Sequence, residues 1–372
     1  MNTPSWISRR RFIRNSSLAA SAALLTKRLW GADAPATPPV KKLGVALCGL
    51  GSYATGQLLP ALGETKLCEL KGVVTGSPQK GAAWSQRFNF PAKNVYSYDT
   101  MSQLADNPDI DVVYVVTPNS LHAEHVIKVA KAGKHVICEK PMATSVADCD
   151  AMLAACKTAK RSLSIGYRLH FDPYHQKMVS LANDPNFGPF TKMAGENGFT
   201  MNGDQWRMHH PLSGGGPLMD MGIYVVHAAC MATNLNPIAV TAKERPKLRP
   251  DFFRDVEEAL DWTMEFPGGV SAICMTSYVQ NVGHFHADSA KGWIDFPPSA
   301  FGYNGLRLNT SNGPVTYPPM RQQTAHLDAI AQSILDHKDS PTPGELGRRD
   351  MVIIEGIYKA AASGQRVELK YS

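Results

Sequence analysis

One stretch constrains this chain more than any other. Leu43 to Cys48 is a short apolar run of strand length, Gly49-Leu50-Gly51-Ser52-Tyr53-Ala54 follows it directly, and a helical pattern over about Thr55–Leu62 follows that. Glycines at the first and third positions of such a turn permit a tight reversal and a close approach of the backbone to a bound group, and the first amides of the helix favour negative charge. A G-x-G-x-x-A turn between a strand and a helix at the start of a domain suits the pyrophosphate of a dinucleotide. The alternation continues through a strand at Glu69–Thr75, a helix at Lys80–Phe88 and a strand at Val112–Val116. A helix at His122–Ala132 closed by Gly133, a strand at His135–Cys138 and a helix at Val146–Ala159 complete it. A strand that is apolar at every position is buried on both faces, and strand-helix alternation of this kind specifies a parallel, doubly wound sheet.

Beyond about residue 166 the pattern changes. Leu260, Trp262, Met264 and Phe266 alternate with Asp261, Thr263 and Glu265, Pro267-Gly268-Gly269 turns the chain, and Val270–Thr276 returns. Further short strands are expected at Gly292–Phe296, Leu306–Asn309 and Val315–Tyr317, and helices at His326–His337 and Asp350–Ser363. One wet and one buried face per strand indicates a mostly antiparallel sheet. The expected division is an N-terminal targeting segment (1–34), a proline-rich arm (35–42), a dinucleotide-binding domain (43–165), an α+β substrate and oligomerisation domain (166–350) and a C-terminal helix and tail packing back on the body (351–372).

The chain of 372 residues carries a formal charge of +6, which first suggests an anionic partner. Arg9, Arg10, Arg11, Arg14, Lys27 and Arg28 against Asp33 supply five of those charges within residues 1–34. The body beyond is nearly neutral, so nucleic acid and an anionic membrane surface are excluded as partners. Ser8-Arg9-Arg10-Arg11-Phe12-Ile13-Arg14, the mildly apolar stretch Leu18–Leu25 and Ala32-Asp33-Ala34 together resemble a twin-arginine export signal with its cleavage site. The expected location is the periplasm, reached already folded, a route that suits a protein loaded with cofactor before export. The seven cysteines, odd in number and without C-x-x-C spacing, read as buried reduced thiols.

The end of the second strand, Val74-Thr75-Gly76-Ser77-Pro78-Gln79-Lys80, holds no carboxylate. An acid there would take the ribose 2′-hydroxyl and repel a 2′-phosphate. Hydroxyls at Thr75 and Ser77 and the cation of Lys80 suit the phosphate, so NADP is expected in preference to NAD. Cys138-Glu139-Lys140-Pro141 ends another strand, where the ligand crevice of such a sheet opens. Read alone, Glu139 and Lys140 are equally compatible with a surface ion pair. Gly214-Gly215-Gly216-Pro217-Leu218-Met219-Asp220-Met221-Gly222-Ile223-Tyr224 places Asp220 and Tyr224 four apart, on one face if helical. A phenol near a lysine and a carboxylate is a plausible acid/base group for a sugar hydroxyl. No further acid or thiol cluster supports a site at the histidine pairs His209-His210 and His284/His286, and no metal is expected.

Together these residues resemble the Gfo/Idh/MocA oxidoreductase family over essentially the whole chain after the arm. The markers are the glycine turn, Thr117-Pro118-Asn119-Ser120-Leu121-His122, Gly133-Lys134-His135, Glu139-Lys140-Pro141 and the triple glycine leading to Asp220 and Tyr224. Gly166-Tyr167-Arg168, Asp204-Gln205-Trp206-Arg207 and a tyrosine at 224, where many members have histidine, are similar to its glucose-fructose oxidoreductase branch. The resemblance implies a Rossmann domain plus an α+β C-terminal domain with a large, mostly antiparallel open sheet. It implies Tyr224 as proton acceptor and donor, Lys140 as the group that hydrogen-bonds the sugar oxygen and holds Tyr224 reactive, and Asp220 as the residue that orients the sugar. Gly49, Gly51, Ser52, Tyr53, Thr75, Ser77, Lys80, Pro118, Asn119, His122, Glu139, Lys140 and Arg168 would line the cofactor, with Trp206 and Arg207 on its nicotinamide or phosphate side. From the residues alone, Trp206 could equally be a core or interface anchor, and His122 a helix-capping residue. The branch also has a long N-terminal arm, and here only about ten residues separate the cleavage site from the first strand.

The implied activity is oxidation of an aldose at C1 to a lactone with tightly held NADP(H), the hydride passing to a second sugar or carbonyl. Two other readings fit the same scaffold: an NAD-dependent glycosidase that borrows the hydride transiently, and a non-catalytic sugar-binding member. The expected assembly is a homodimer or homotetramer built through the C-terminal sheet.

Overall fold

A computed structural model describes residues 41–371; the twin-arginine stretch and the arm up to residue 40 lie outside the described residues. Six parallel strands, β1 (Leu43–Cys48), β2 (Cys68–Val74), β3 (Val95–Tyr96), β4 (Val112–Val115), β5 (His135–Cys138) and β6 (Leu163–Ile165), form a sheet in the order β3-β2-β1-β4-β5-β6. Alternate residues of β1 enter different cores. Val45 and Leu47 join Leu58, Ala61, Val112 and Tyr114 on one face, whereas Ala46 and Cys48 join Val113, Val115, Val126 and Val129 on the other. This two-sided burial is the physical reason the strands are apolar throughout. The chain runs outward from β1 to β3 and then returns to lay β4 on the opposite side of β1. A crevice therefore opens beyond the carboxyl ends of β1 and β4, where the sheet order reverses.

The second sheet has nine strands in the order β14-β13-β12-β11-β7-β10-β9-β8-β15. They are β7 (Phe190–Gly198), β8 (Ala239–Glu244), β9 (Ala259–Glu265), β10 (Ser271–Ser277), β11 (Val282–Ser289), β12 (Trp293–Phe296), β13 (Leu308–Thr310), β14 (Gly313–Val315) and β15 (Val367–Glu368). All its pairings are antiparallel except the central one between β7 and β10. Leu260, Trp262 and Met264 point into the core from β9, as their alternation requires. The helix Ile223–Thr233 lies across the inner face, and a Cβ on Gly195 of β7 would stand 2.7 Å from Val225. On the opposite face Ile273 is 67% exposed.

Two helices begin earlier than the sequence suggests. The helix expected from Asp350 starts at Gly344, because that glycine and Gly347 pack directly on Leu153, Leu163 and Met142, and tertiary contact overrides their weak helical preference. The helix expected from His326 runs Gln322–Leu335, and its Leu327, Ile330 and Ala331 join the core beneath β1 on the first sheet. All seven cysteines are buried and unbonded. No helix among the described residues is long and apolar enough to cross a membrane.

Candidate functional site

The crevice at the end of β1 continues as a cavity of about 980 Å³ running toward the nine-stranded sheet. Every site residue expected from the sequence lines it. Gly49 sits at φ +102°, and a Cβ there would stand 2.8 Å from the carbonyl oxygen of Val116, so this turn admits only glycine. Gly51 has nothing within 4 Å of where a Cβ would be, and that open cradle beside Ser52 and Tyr53 fits a pyrophosphate against the backbone. At the end of β2, Ser77 caps the helix Pro78–Phe88 by accepting from the Lys80 amide at 3.3 Å, and the Thr75 hydroxyl accepts from the Ser77 amide at 3.2 Å. Lys80 also lines the cavity. The chamber and its glycine cradle thus suit a dinucleotide.

Beyond Pro118, Asn119 ties this end of the crevice to the far wall, its Nδ2 donating to the carbonyl of Ser213 at 2.8 Å. His122 is a brace: Nδ1 lies 2.9 Å from the carbonyl oxygen of Pro141 and Nε2 2.9 Å from that of Thr117. Burial lowers its pKa although both carbonyls act to raise it. It therefore joins the two crevice loops, and its side chain caps no helix.

Glu139 and Lys140 are not a surface ion pair. Glu139 is buried, its Oε1 accepting from the Tyr114 hydroxyl at 2.6 Å and its Oε2 from the Lys140 amide at 3.2 Å. Gly166 leaves room for it, since a Cβ there would stand 2.6 Å from Oε1. Burial pushes the Glu139 carboxyl upward against the Tyr114 hydrogen bond and the neighbouring cations of Lys140 and Arg168. Lys140 turns the other way. Its Nζ donates to the carbonyl of Asp220 at 2.6 Å, meets Asp220 Oδ1 at 3.3 Å and lies 4.4 Å from the ring centroid of Tyr224. Burial would lower the ammonium's pKa, but Tyr224, Asp220 and Glu139 outweigh it and hold it above the ordinary value.

Asp220 lies in a π-helical turn, Leu218–Gly222, that passes into the α-helix bearing Tyr224. The start of this element is fixed by Glu257, which sequence reading missed. Its buried carboxylate accepts from the amides of Gly216 (2.9 Å) and Leu218 (3.1 Å) and from the Tyr358 hydroxyl (2.9 Å). A Cβ on Gly215, at φ +155°, would overlap that hydroxyl, which accounts for one glycine of the triplet. Arg207 joins this cluster at the cavity wall: its Nε lies 3.0 Å from Asp220 Oδ2, and its guanidinium lies 4.6 Å from the Trp206 ring centroid, with Trp206 half-buried in the cavity wall. The Tyr278 hydroxyl adds a contact to Asp220 Oδ2 at 3.3 Å. Burial would raise the Asp220 carboxyl, but Lys140 and Arg207 hold it below the ordinary range.

Arg168, expected beside the cofactor, directs its donors to the carbonyls of Phe301 and Gly302 and to Gln322 Oε1. Tyr303 and Tyr98 also line the cavity and carried no local sequence signal. His284, at the cavity wall, and its strand neighbour His286 both reach Asp295 Oδ1 of β12, at 2.7 and 3.2 Å, and His286 also meets Asp288 Oδ1 of its own strand at 3.1 Å. Among the described residues no group of three or more His, Cys, Asp or Glu is arranged to hold a metal ion.

Comparison with known proteins agrees with this geometry. Residues 43–167 match the profile of an oxidoreductase family with an NAD-binding Rossmann fold, and residues 175–294 match the GFO/IDH/MocA C-terminal domain. The crystal structure of aldose-aldose oxidoreductase from Caulobacter crescentus, complexed with glycerol, is 39% identical with a TM-score of 0.85, covering 88% of this chain and 100% of that one. D-xylose 1-dehydrogenase [NADP(+)] of Haloarcula marismortui is 26% identical over 92% of this chain and 97% of its own length. 1,5-anhydro-D-fructose reductase of Ensifer adhaerens is 26% identical over 81% of this chain and 91% of its own.

Proposed function

The chain belongs to the Gfo/Idh/MocA oxidoreductase family, and from that premise we propose that it is a periplasmic sugar oxidoreductase with tightly held NADP(H). It oxidises an aldose at C1 to a lactone and returns the reducing equivalents to a second sugar or carbonyl. The observation that carries this reading is the position of the Lys140 ammonium, between Asp220 and the ring of Tyr224, in the cavity that begins at the glycine turn. Tyr224 takes the proton of the C1 hydroxyl on oxidation and returns one on reduction. Lys140 polarises the same oxygen while Asp220 fixes the lysine's position. When bound, the nicotinamide supplies the two-electron acceptor and donor.

The preference for NADP rests on the missing acid at the end of β2 and on Lys80 at the cavity wall, and a relative named for NADP supports it. Export rests on the twin-arginine stretch. A compartment poor in free nicotinamide cofactor favours an enzyme that regenerates its own, which supports the second sugar as oxidant. Assembly through the nine-stranded sheet rests on its open face, where Ile273 is exposed.

The test is mass spectrometry of the cofactor released from purified protein, followed by a screen of sugar pairs without added cofactor. NADP(H) in stoichiometric amount and turnover of at least one aldose-acceptor pair are expected. A fully active apoprotein that needs a continual supply of free NADP would overturn the reading.

A further inference from the structure

Arg168 is 2% exposed, yet among the described residues its guanidinium forms no salt bridge. Burying a guanidinium without a carboxylate is costly unless the charge has a use. Its orientation is set from outside the cavity: Gln322, which accepts from it, donates through Nε2 to Asp172 Oδ2 at 3.1 Å, and Asp172 Oδ1 meets His175 Nδ1 at 3.1 Å. The faces of the guanidinium are left for two aromatic rings. Its Cζ lies 4.2 Å from the centroid of Tyr303 and 5.0 Å from that of Tyr224. Tyr303 in turn lies 6.2 Å, centroid to centroid, from Tyr53 of the glycine turn.

The charges around Tyr224 give the group its role. Lys140 from the loop after β5 and Arg168 from the turn after β6 stand 4.4 and 5.0 Å from the Tyr224 ring centroid, and Glu139, Asp220 and Arg207 line the same cavity. Tyr303 from the loop between β12 and β13, Tyr53 from the glycine turn, Glu196 of β7 and His284 of β11 also line it, and His175 and His227 border a small pocket with Tyr224. Of the cations near the ring, Lys140 shares Asp220 with Arg207, whereas Arg168 has no carboxylate partner among the described residues. A phenol that gives its proton to a sugar oxygen would leave its negative charge beside this unpaired guanidinium.

Accepting Tyr224 as the acid/base group of the proposed reaction, we propose that Arg168 is its positioning residue: the buried guanidinium supplies the unpaired positive charge that stabilises the phenolate during proton transfer. Because that guanidinium is held by the carbonyls of Phe301 and Gly302, seating the loop that carries Tyr303 and readying Tyr224 are one event.

The test uses the cofactor-loaded protein with Arg168→Met and Arg168→Lys, each with and without Tyr224→Phe. Three quantities are followed: the near-ultraviolet tyrosinate signal lost on Tyr224→Phe, the pH profile of kcat, and the dinucleotide Kd. Arg168→Met is expected to move the Tyr224 signal and the matching limb of kcat to higher pH by about one unit or more. It should lower kcat at neutral pH by about 10- to 100-fold and leave the Kd within about threefold. Arg168→Lys, which keeps charge without the fork, should recover part of both effects. A fall in kcat with neither signal nor limb displaced would overturn the proposal, as would a weakened Kd as the sole change, which would make Arg168 a cofactor ligand. Should Arg168→Met fail to fold, Tyr303→Ala must displace the tyrosinate signal in the same direction, and no displacement refutes the coupling. If no aldose is turned over by the wild-type protein, the functional reading fails, while the tyrosinate titration still decides the role of Arg168.

Discussion

Asp220→Asn changes one atom of a side chain and removes the charge shared by two cations. Oδ1 lies 3.3 Å from Lys140 Nζ and Oδ2 3.0 Å from Arg207 Nε, and the Asp220 and Lys140 side chains are only 16% and 11% exposed. At such separations, unit charges near a protein surface attract by roughly 4 kcal/mol. The ammonium keeps the carbonyl of Asp220 at 2.6 Å and the Tyr224 ring, so about half of that attraction is lost in net terms. A loss of about 2 kcal/mol in favour of the charged form brings the Lys140 ammonium down by about 1.5 pH units. The expected outcome is a basic limb of kcat displaced downward by roughly that amount, with turnover at neutral pH, where the ammonium stays charged, changed by less than about threefold and dinucleotide affinity unchanged. Initial rates across pH with saturating sugar give the limb, and fluorescence titration gives the affinity. A second signature follows from linkage. The Asp220 carboxyl is depressed in the fold, so its stabilisation is full above the ordinary aspartate value and is lost as pH falls through the depressed one. Wild type should therefore exceed the variant in urea stability at pH 7, and the gap should narrow below about pH 4. A reduced kcat with the limb unmoved would refute the reasoning, because Asp220 would then act on the sugar and not through Lys140.

Tyr224→Phe should leave dinucleotide affinity within about threefold and lower turnover by about 10²- to 10⁴-fold, measured by single-turnover kinetics. Lys80→Glu should weaken NADP binding by at least about tenfold and spare NAD, read as the ratio of the two Kd values; an unchanged ratio would remove Lys80 from the 2′-phosphate. Glu257→Ala strands the Gly216 and Leu218 amides and the Tyr358 hydroxyl, and should cost about 3 kcal/mol in urea unfolding. Ile273→Asp, on the open sheet face, should shift the protein toward monomer in light scattering without altering its circular dichroism, and an unaltered mass would place the interface elsewhere.

Sequence reading succeeded where the physics is local. Val45 and Leu47 enter one core and Ala46 and Cys48 the other, so β1 had to be apolar throughout, and the turn after it had to contain Gly49 because Val116 leaves no space for a Cβ. The central strand β7 was invisible for the converse reason. Its Gly195 and Gly198 weaken any strand pattern, and the need for Gly195 comes from Val225 on a helix thirty residues onward in the sequence.

The site divides along the same line. Lys140, Asp220 and Tyr224 were legible as a motif, but their division of labour was not. Asp220 was expected to orient the sugar; the fold adds that its carboxylate also meets Lys140, Arg207 and Tyr278, contacts that spacing did not show. Arg207 was expected beside nicotinamide or phosphate, and Arg168 beside the cofactor; both line the cavity, and the fold adds contacts from Arg207 Nε to Asp220 and from Arg168 to the carbonyls of residues 301 and 302. These contacts join loops with no shared period, so no spacing rule could reveal them. What they share is electrostatic: each buried cation at the far wall is held by a group distant in the chain, and together they leave one positive charge without a carboxylate. That unpaired charge, on Arg168, lies 5.0 Å from the ring of Tyr224, so negative charge left on the phenol as it gives up its proton would be met there without any further residue.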